Sequence, residues 1–287
     1  MKKYYLFMVV FTMVFSSCSM QKFALKTTSG LFSYGIEAIY SEPDLQIAEY
    51  AIASNLKLLE GFHLADPKNK EILIMLTQGF ASYSLGFLED EEPDRASLFY
   101  LRSKKYGMQL LQRTKAFKDS IPTKEANFVK QLTLIQESDT PALFWTAFAW
   151  AGWVNLNRDN PQAVLELNIV KAMMNRVLEL DESFFFGSAH LFFGSINASL
   201  PKMLGGNPEK ARKHFERCIE LTDGKFLMAN VYLARYYALS TLNEELFDET
   251  LTKVMEAPQD ILIGYELMTT VAKNKAIKLI EQKDDLF

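Results

Sequence analysis

The chain has 287 residues, of which 49% are apolar and 23% are charged, a composition typical of a folded protein with a large core and not of a disordered one. Its formal net charge is −4 and no segment is rich in Lys and Arg, which excludes a nucleic-acid-binding protein, because such a protein needs a basic surface. With only 13 Gly and 9 Pro, an all-β fold with many tight turns is disfavoured as well.

The first predicted element is a secretion signal over residues 1–17. Two lysines precede an apolar run that has the length of a secretory signal and is too short to span a membrane as a mature helix. This run ends in Phe15-Ser16-Ser17-Cys18, which resembles the lipobox of bacterial lipoproteins, where the signal is cut before an acylated cysteine. We therefore expect lipidation of Cys18 and a tether over residues 18–40. The alternative is an ordinary signal peptide that is cut nearby, with Cys18 incidental.

Residues 41–287 are predicted to form a single α-helical domain. Prolines punctuate this region, several of them behind a residue suited to capping a helix, and Asn207-Pro208 after Gly205-Gly206 is the clearest such boundary. Apolar residues recur with helical spacing between the prolines, and no segment shows sustained strand alternation. We predict eleven or twelve helices, at about 42–63, 69–89, 93–117, 123–137, 141–157, 161–180, 183–200, 208–222, 225–241, 244–256 and 261–284.

Three predicted helix junctions share one pattern. An apolar helix end, an acid and a new helix start occur at 58–67, 177–183 and 219–224. This pattern resembles the junction of a tetratricopeptide repeat (TPR), although the 42 residues from Asp181 to Asp223 exceed the roughly 34 of that repeat. Because consecutive helices with short connections pack as antiparallel pairs, we predict an all-α, TPR-like array of antiparallel helical hairpins. An irregular α-bundle is the alternative.

Three segments, 142–154, 184–193 and 226–237, are more aromatic than an ordinary helix face. The first holds all three tryptophans and is apolar on nearly every side, so it must be covered on all sides or face an apolar cavity. Polar residues lie among these rings, and binding pockets combine apolar walls with a few polar groups. We therefore predict that the rings and polar groups of 145–155, 187–197 and 232–236 converge on a lumen lined by Trp145, Trp150, Trp153, Asn155, His190, Arg235 and Tyr236. The alternatives are that the rings form the core and that Arg235 pairs with an acid of a neighbouring helix.

Over residues 40–270 the sequence resembles the T component (TatT) of TRAP transporters, the tripartite ATP-independent periplasmic carriers. The resemblance is densest over 140–240 and is carried by Leu-Phe-Trp and Trp-Ala-Gly-Trp-Val-Asn-Leu within 143–156, by Leu-Glu-Leu-Asp and Phe-Phe-Gly within 178–187, and by the motifs at 200–212 and 232–237. It implies a periplasm-facing lipoprotein of TPR-like hairpins that assembles as a homotrimer. It also implies a pore in each protomer, docking of the solute-binding P component, and no catalytic activity.

No sequence motif indicates an enzyme, a cofactor or a metal site. The three histidines lie outside metal-ligand motifs, and there is no P-loop, G-x-S-x-G elbow or dinucleotide-binding turn. The densest acidic cluster, Glu89-Asp90-Glu91-Glu92, is expected to be solvated, because nothing apolar in its surroundings would raise a carboxyl pKa.

Two non-catalytic functions therefore remain. The first is an accessory lipoprotein of a TRAP transporter that docks the P component and binds or passes a small organic acid or hydrophobic solute through an aromatic-lined pore. The second is a TPR lipoprotein scaffold for protein assembly at the cell envelope, with no small-molecule ligand. The aromatic segments and the family resemblance favour the first. Ser19 follows Cys18 in place of the Asp that commonly retains lipoproteins in the inner membrane, which favours anchoring in the outer membrane.

Overall fold

The structure, a computed structural model, describes residues 34–287, so the predicted signal, Cys18 and most of the predicted tether lie outside the described residues. The described part is helical and contains no strand, which confirms the predicted all-α class. Its helices are α1 (34–40), α2 (Leu45–Ala65), α3 (Lys70–Tyr83, continued by a π-helical turn at Ser84–Leu88), α4 (Pro93–Leu111), α5 (Glu125–Leu132), α6 (Thr140–Leu156), α7 (Pro161–Leu180), α8 (Phe184–Ser199), α9 (Pro208–Leu221), α10 (Met228–Tyr232, continued by a π-helical turn at Leu233–Ala238), α11 (Glu244–Glu256), α12 (Glu266–Glu281) and α13 (Lys283–Leu286).

Asparagine and aspartate side chains fix the starts of several helices. At α9, the Asn207 Oδ1 accepts a hydrogen bond from the backbone N–H of Lys210 at 3.0 Å. Because the first backbone N–H groups of a helix have no partner within the helix, such a cap stabilises the helix start. Equivalent caps are made by Asp44, Asn69, Asn160 and Asn243. The predicted helix starts at residues 161, 208 and 244 are confirmed.

Helix α4 is shorter than predicted, since it ends at Leu111 and not at residue 117. The Thr114 hydroxyl donates to the Leu111 carbonyl at 2.7 Å, which satisfies a carbonyl at the helix end. The apolar residues that follow are nevertheless buried, and the Phe117 ring packs on Phe128 of α5 with the centroids 5.0 Å apart. The apolar spacing over 112–117 therefore belongs to an irregular segment of the core. Residues 34–40, expected within the tether, are helical.

Successive helices pack as hairpins, with α2 on α3, α3 on α4, α6 on α7, α8 on α9 and α11 on α12. Glycine lets the contact of α8 with α9, and that of α4 with the non-successive α6, become close. The Tyr100 ring of α4 lies 2.5 Å from where a Cβ would stand on Gly152 of α6, and the Phe215 ring of α9 lies 2.7 Å from the same point on Gly194 of α8. Small residues thus bring neighbouring helices together, as a TPR-like array requires.

The last helices of the array return to the first. Helix α12 packs against α2, and the Thr270 hydroxyl donates to the Pro43 carbonyl at 3.1 Å. Among the described helices, Lys70–Leu88 is long and apolar enough to cross a membrane, but 56% of its apolar window is buried inside the fold, where it contacts α2, α4 and α6. It is therefore a core helix of an array that closes around a central space.

Candidate functional site

A central cavity of about 460 Å³ lies inside the array and is lined by residues of α1–α4, α6–α8, α10 and α12. Its volume falls in the range of roughly 300–1,000 Å³ found for small-molecule sites. Most of its wall is apolar, and the aromatic part is formed by Tyr40, Phe87, Tyr100, Trp145, Phe148, Phe185, Phe192, Phe226, Tyr232 and Tyr236. An apolar wall enclosed by packed helices is the general form of a site for a small organic ligand.

Each of the three aromatic segments contributes to this wall. Of the seven residues predicted to line a lumen, the structure brings Trp145, Asn155 and Tyr236 to the central cavity. The Trp145 ring is edge-on to Phe185, with the centroids 4.5 Å apart, so rings of α6 and α8 meet there.

The other two predicted tryptophans contact Lys104 and Glu166. The Trp150 Nε1 donates to the Glu166 Oε2 at 2.6 Å, and the Lys104 ammonium lies 3.7 Å from the centre of the Trp150 ring. Lys104 also pairs with Glu166 at 2.7 Å and lies 5.1 Å from the centre of the Trp153 ring. These rings are buried against α4 and α7 and do not line the central cavity.

His190 belongs to a polar group between α8 and α9. Its Nδ1 lies 2.9 Å from the Nδ1 of His214, and its Nε2 lies 3.3 Å from Glu182, which also pairs with Arg217 at 2.5 Å. Burial lowers the pKa of His190, and burial together with the neighbouring His190 lowers the pKa of His214 to about 4. Within residues 34–287, no group of three or more His, Cys, Asp or Glu side chains is placed to hold a metal ion.

Arg235 pairs with Asp90 at 3.0 Å, which is the acid partner named above as the alternative. Asp90 also pairs with Lys275, whose side chain is only 4% exposed. One carboxylate therefore holds two cations, and it joins the end of α3 to the turn after α10 and to α12.

The expectation that the acidic cluster at 89–92 is solvated is wrong for its first member. Glu89 lines the central cavity, and burial raises its pKa by more than the nearby Lys275 and Arg235 lower it. Glu91 and Glu92 do lie at the surface, where Glu91 pairs with Lys278. This difference between Glu89 and the two surface acids is not predictable from the sequence, because the cations near Glu89 come from distant parts of the chain.

Glu89 lies in the cavity wall near Asn155, Arg158, Tyr100, Tyr232 and Tyr236, a group of polar side chains that we call the polar end. Asn155 lies near Glu89 and Tyr236 and lowers the pKa of each, and its Oδ1 accepts a hydrogen bond from Arg158. Glu89 follows the π-helical turn of α3, and Tyr236 lies within that of α10. Such turns occur frequently at functional sites, because they change the direction of side chains within a helix.

A left-handed turn at the start of α8 positions the aromatic wall. Phe185 and Phe186 have φ angles of 45° and 60°, which are unusual for bulky residues, and Gly187 continues the turn with a φ angle of 68°. The Ser188 hydroxyl donates to the Phe185 carbonyl at 2.6 Å, and the Cys218 thiol donates to the Phe186 carbonyl at 3.2 Å. The turn thereby places Phe185 against Trp145 in the cavity wall.

Comparison with known protein families agrees with this architecture. Residues 41–287 match the family described as TRAP transporter T-component (TAtT), a match that spans the whole predicted domain. A search of curated proteins found no match to the chain. The family is an accessory component of a transporter of the bacterial envelope and is not a known enzyme family. The chain therefore belongs to the TRAP transporter T-component family.

Proposed function

We propose that this T component is a non-catalytic accessory protein that docks the periplasmic solute-binding P component and holds or passes a small organic acid or hydrophobic solute through the central cavity. The observation that carries the proposal is the central cavity itself, because it lies among the helices of the array, is largely apolar and carries a group of polar side chains on its wall. A scaffold that binds only other proteins needs an external groove and has no use for an internal cavity of this kind.

The solute-binding part of the proposal is tested by filling the cavity. Ala151 lines the central cavity, so Ala151→Phe adds a ring inside it, whereas Leu98→Phe adds volume at an exposed position of α4. The full-length protein in nanodiscs, with empty nanodiscs as the blank, is titrated with the neutral fluorophore N-phenyl-1-naphthylamine. We expect one molecule bound per protomer, about tenfold weaker binding by Ala151→Phe, and unchanged binding by Leu98→Phe. Absence of binding by the unmodified protein would favour the scaffold alternative.

Docking is tested with the P component of the TRAP transporter from the same organism. Sedimentation velocity of the mixture is expected to show a complex larger than either protein, since T-component family membership associates the chain with this transporter. Two proteins that sediment independently at micromolar concentration would contradict docking.

The proposed anchor and assembly follow from the sequence and the family resemblance. We propose that Cys18 is acylated and holds the protein at the periplasmic face of a membrane, with the outer membrane favoured. Cys18→Ala is expected to abolish metabolic labelling with a fatty acid, and persistent labelling would contradict the lipobox assignment. We also propose a homotrimer, for which sedimentation should give three times the protomer mass; a clean monomer would contradict it.

A further inference from the structure

We propose that the polar end of the central cavity binds the carboxylate head of a single-chain amphiphile, and that Glu89 takes up a proton when this ligand binds. The inference rests on the proposed function, because it requires the central cavity to hold a solute.

The distribution of polar groups along the cavity indicates an amphiphile. Away from the polar end, three polar side chains of the wall already donate hydrogen bonds within the protein. The Ser188 and Ser195 hydroxyls donate to carbonyls of their own helix, and the Gln78 amide donates to the Tyr40 hydroxyl. The remaining wall consists mainly of side chains such as Ile39, Leu56, Met75, Phe148, Leu191 and Phe226. A ligand that fills this space must therefore be apolar over most of its length and can place one polar head at the polar end.

The charges near the polar end favour an anionic head. Asp90 is a single carboxylate shared by two cations, Arg235 and Lys275, so these three groups carry one excess positive charge, which ionised Glu89 balances and protonated Glu89 does not. Arg158 lines the cavity from an exposed position and donates to Asn155, and it has no ion pair with an acid in the described part of the chain. An ammonium head would add a cation to this group, whereas a carboxylate would compensate the excess.

Proton uptake is expected because the ligand places a second carboxylate beside Glu89. Two carboxylates in one poorly hydrated site cannot both stay ionised, so one of them binds a proton from solution and donates it in a hydrogen bond to the other. The charged and titratable groups that act on Glu89 are Asp90, Tyr100, Tyr232, Arg235, Tyr236 and Lys275.

Glu89 is the member of this group that can accept the proton. The ion pair with Lys275 holds the pKa of Asp90 below its ordinary value despite the opposing effect of burial, so Asp90 stays ionised. Burial raises the pKa of Tyr100 and Tyr232, so these phenols remain neutral donors. Burial has already raised the pKa of Glu89, and an adjacent ligand carboxylate raises it further.

The test compares three probes that share one chain and differ in the head: decanoate, 1-decanol and decylamine. Calorimetric titration of the full-length protein in nanodiscs is run at pH 7 in two buffers of different ionisation enthalpy, with empty nanodiscs as the blank. We expect decanoate to bind about tenfold or more tightly than decylamine, with net proton uptake. Decanoate affinity is expected to fall as the pH is raised from about 6 to about 8, since ionised Glu89 repels the head.

Two variants distinguish recognition of the ligand head at Glu89 from a general effect of the charge of the protein on binding. Glu89→Gln replaces the protonated carboxyl by a neutral amide of the same shape, so it should keep decanoate binding but lose both the proton uptake and the pH dependence. Glu91→Gln is the matched control, because Glu91 lies two residues away at the surface, and it should behave as the unmodified protein. Binding of N-phenyl-1-naphthylamine reports whether each variant retains the cavity.

Three results would overturn the inference. Tighter binding of decylamine, lost in Glu89→Gln, would show that ionised Glu89 receives a cation. Equal binding of the three probes would show that the head is not recognised, and the proposed function would stand. If none of the three probes binds, the inference fails. Binding of the neutral fluorophore would then retain the proposed function, whereas absence of fluorophore binding would remove the proposed function as well.

Discussion

Among substitutions that remove an ion pair of the described residues, we expect Asp90→Asn to cause the largest loss of stability. Asp90 pairs with Lys275, whose side chain is 4% exposed, and with Arg235, whose side chain is 38% exposed. The asparagine keeps the shape of the side chain but removes its charge. Because Lys275 is buried in α12 and cannot turn into water, it would lose its ion-pair partner and keep only nearby Glu89 to balance its charge.

The magnitude follows from the burial of the two partners. Removing one member of a buried ion pair costs about 3–5 kcal/mol, and the loss of the more exposed Arg235 contact adds only about 0–1 kcal/mol. Asp90 itself is 19% exposed and thus partly hydrated, which places the expected loss near the lower limit, about 3 kcal/mol. For a domain of this size, that corresponds to a fall in Tm of about 6–12 °C.

Equilibrium unfolding in urea at pH 7, followed by tryptophan fluorescence, measures this loss. Glu91→Gln is the control, since the pair of Glu91 with Lys278 is at the surface and should contribute about 0–1 kcal/mol. The double variant Asp90→Asn with Lys275→Met should regain most of the stability, because it removes the stranded cation. A loss below about 1 kcal/mol for Asp90→Asn, or no recovery in the double variant, would show that Lys275 does not depend on Asp90 for its burial.

Two further predictions concern helices α8 and α9. The pKa of His214 is lowered to about 4 in the folded protein from an ordinary value of 6.5, so the unfolded chain binds more protons between these values. Stability should therefore fall as the pH is lowered from 6.5 to 4, and His214→Gln should make this fall smaller without abolishing it, because the pKa values of His190, His63 and Glu166 are also lowered in the folded protein. Gly194→Ala should destabilise the fold by about 1–3 kcal/mol, because its Cβ would stand 2.7 Å from the fully buried Phe215 ring.

Urea unfolding at several pH values checks the prediction for His214, and urea unfolding at pH 7 checks the prediction for Gly194. An unchanged pH dependence in His214→Gln would show that the imidazole does not lose its proton on folding. Gly61→Ala is the control for Gly194→Ala, since a Cβ on Gly61 of α2 meets nothing within 4 Å. That control should stabilise the helix by about 0.5–1 kcal/mol, and similar effects at both glycines would contradict the close packing of α8 on α9.

The helix starts were predictable because the signals that set them are local. Asn160 and Asn207 each cap a helix whose first residue is a proline, and the cap and its hydrogen-bond partner lie within three residues of each other. The end of α4 was not predictable from apolar spacing, since Phe117 is buried in an irregular segment just as it would be in a helix.

The polar end was not predictable, because its electrostatics come from residues far apart in the chain. The acids beside Glu89 in sequence suggested a solvated surface, but the cations that pair with Asp90 lie 145 and 185 residues away. Similarly, α6 is apolar on nearly every side, so its sequence does not show which tryptophan faces the cavity. The fold places Trp145 in the cavity wall and lets Trp150 donate to Glu166.

The most direct test of the account is a crystal structure of the protein with 10-bromodecanoate, determined at a wavelength where bromine scatters anomalously. We predict one bromine peak per protomer inside the central cavity, among apolar wall residues such as Trp145, Leu191 and Phe226, with the carboxylate beside Glu89. A cavity without a bromine peak at a ligand concentration that saturates binding in solution would contradict the claim that this T component holds a small solute.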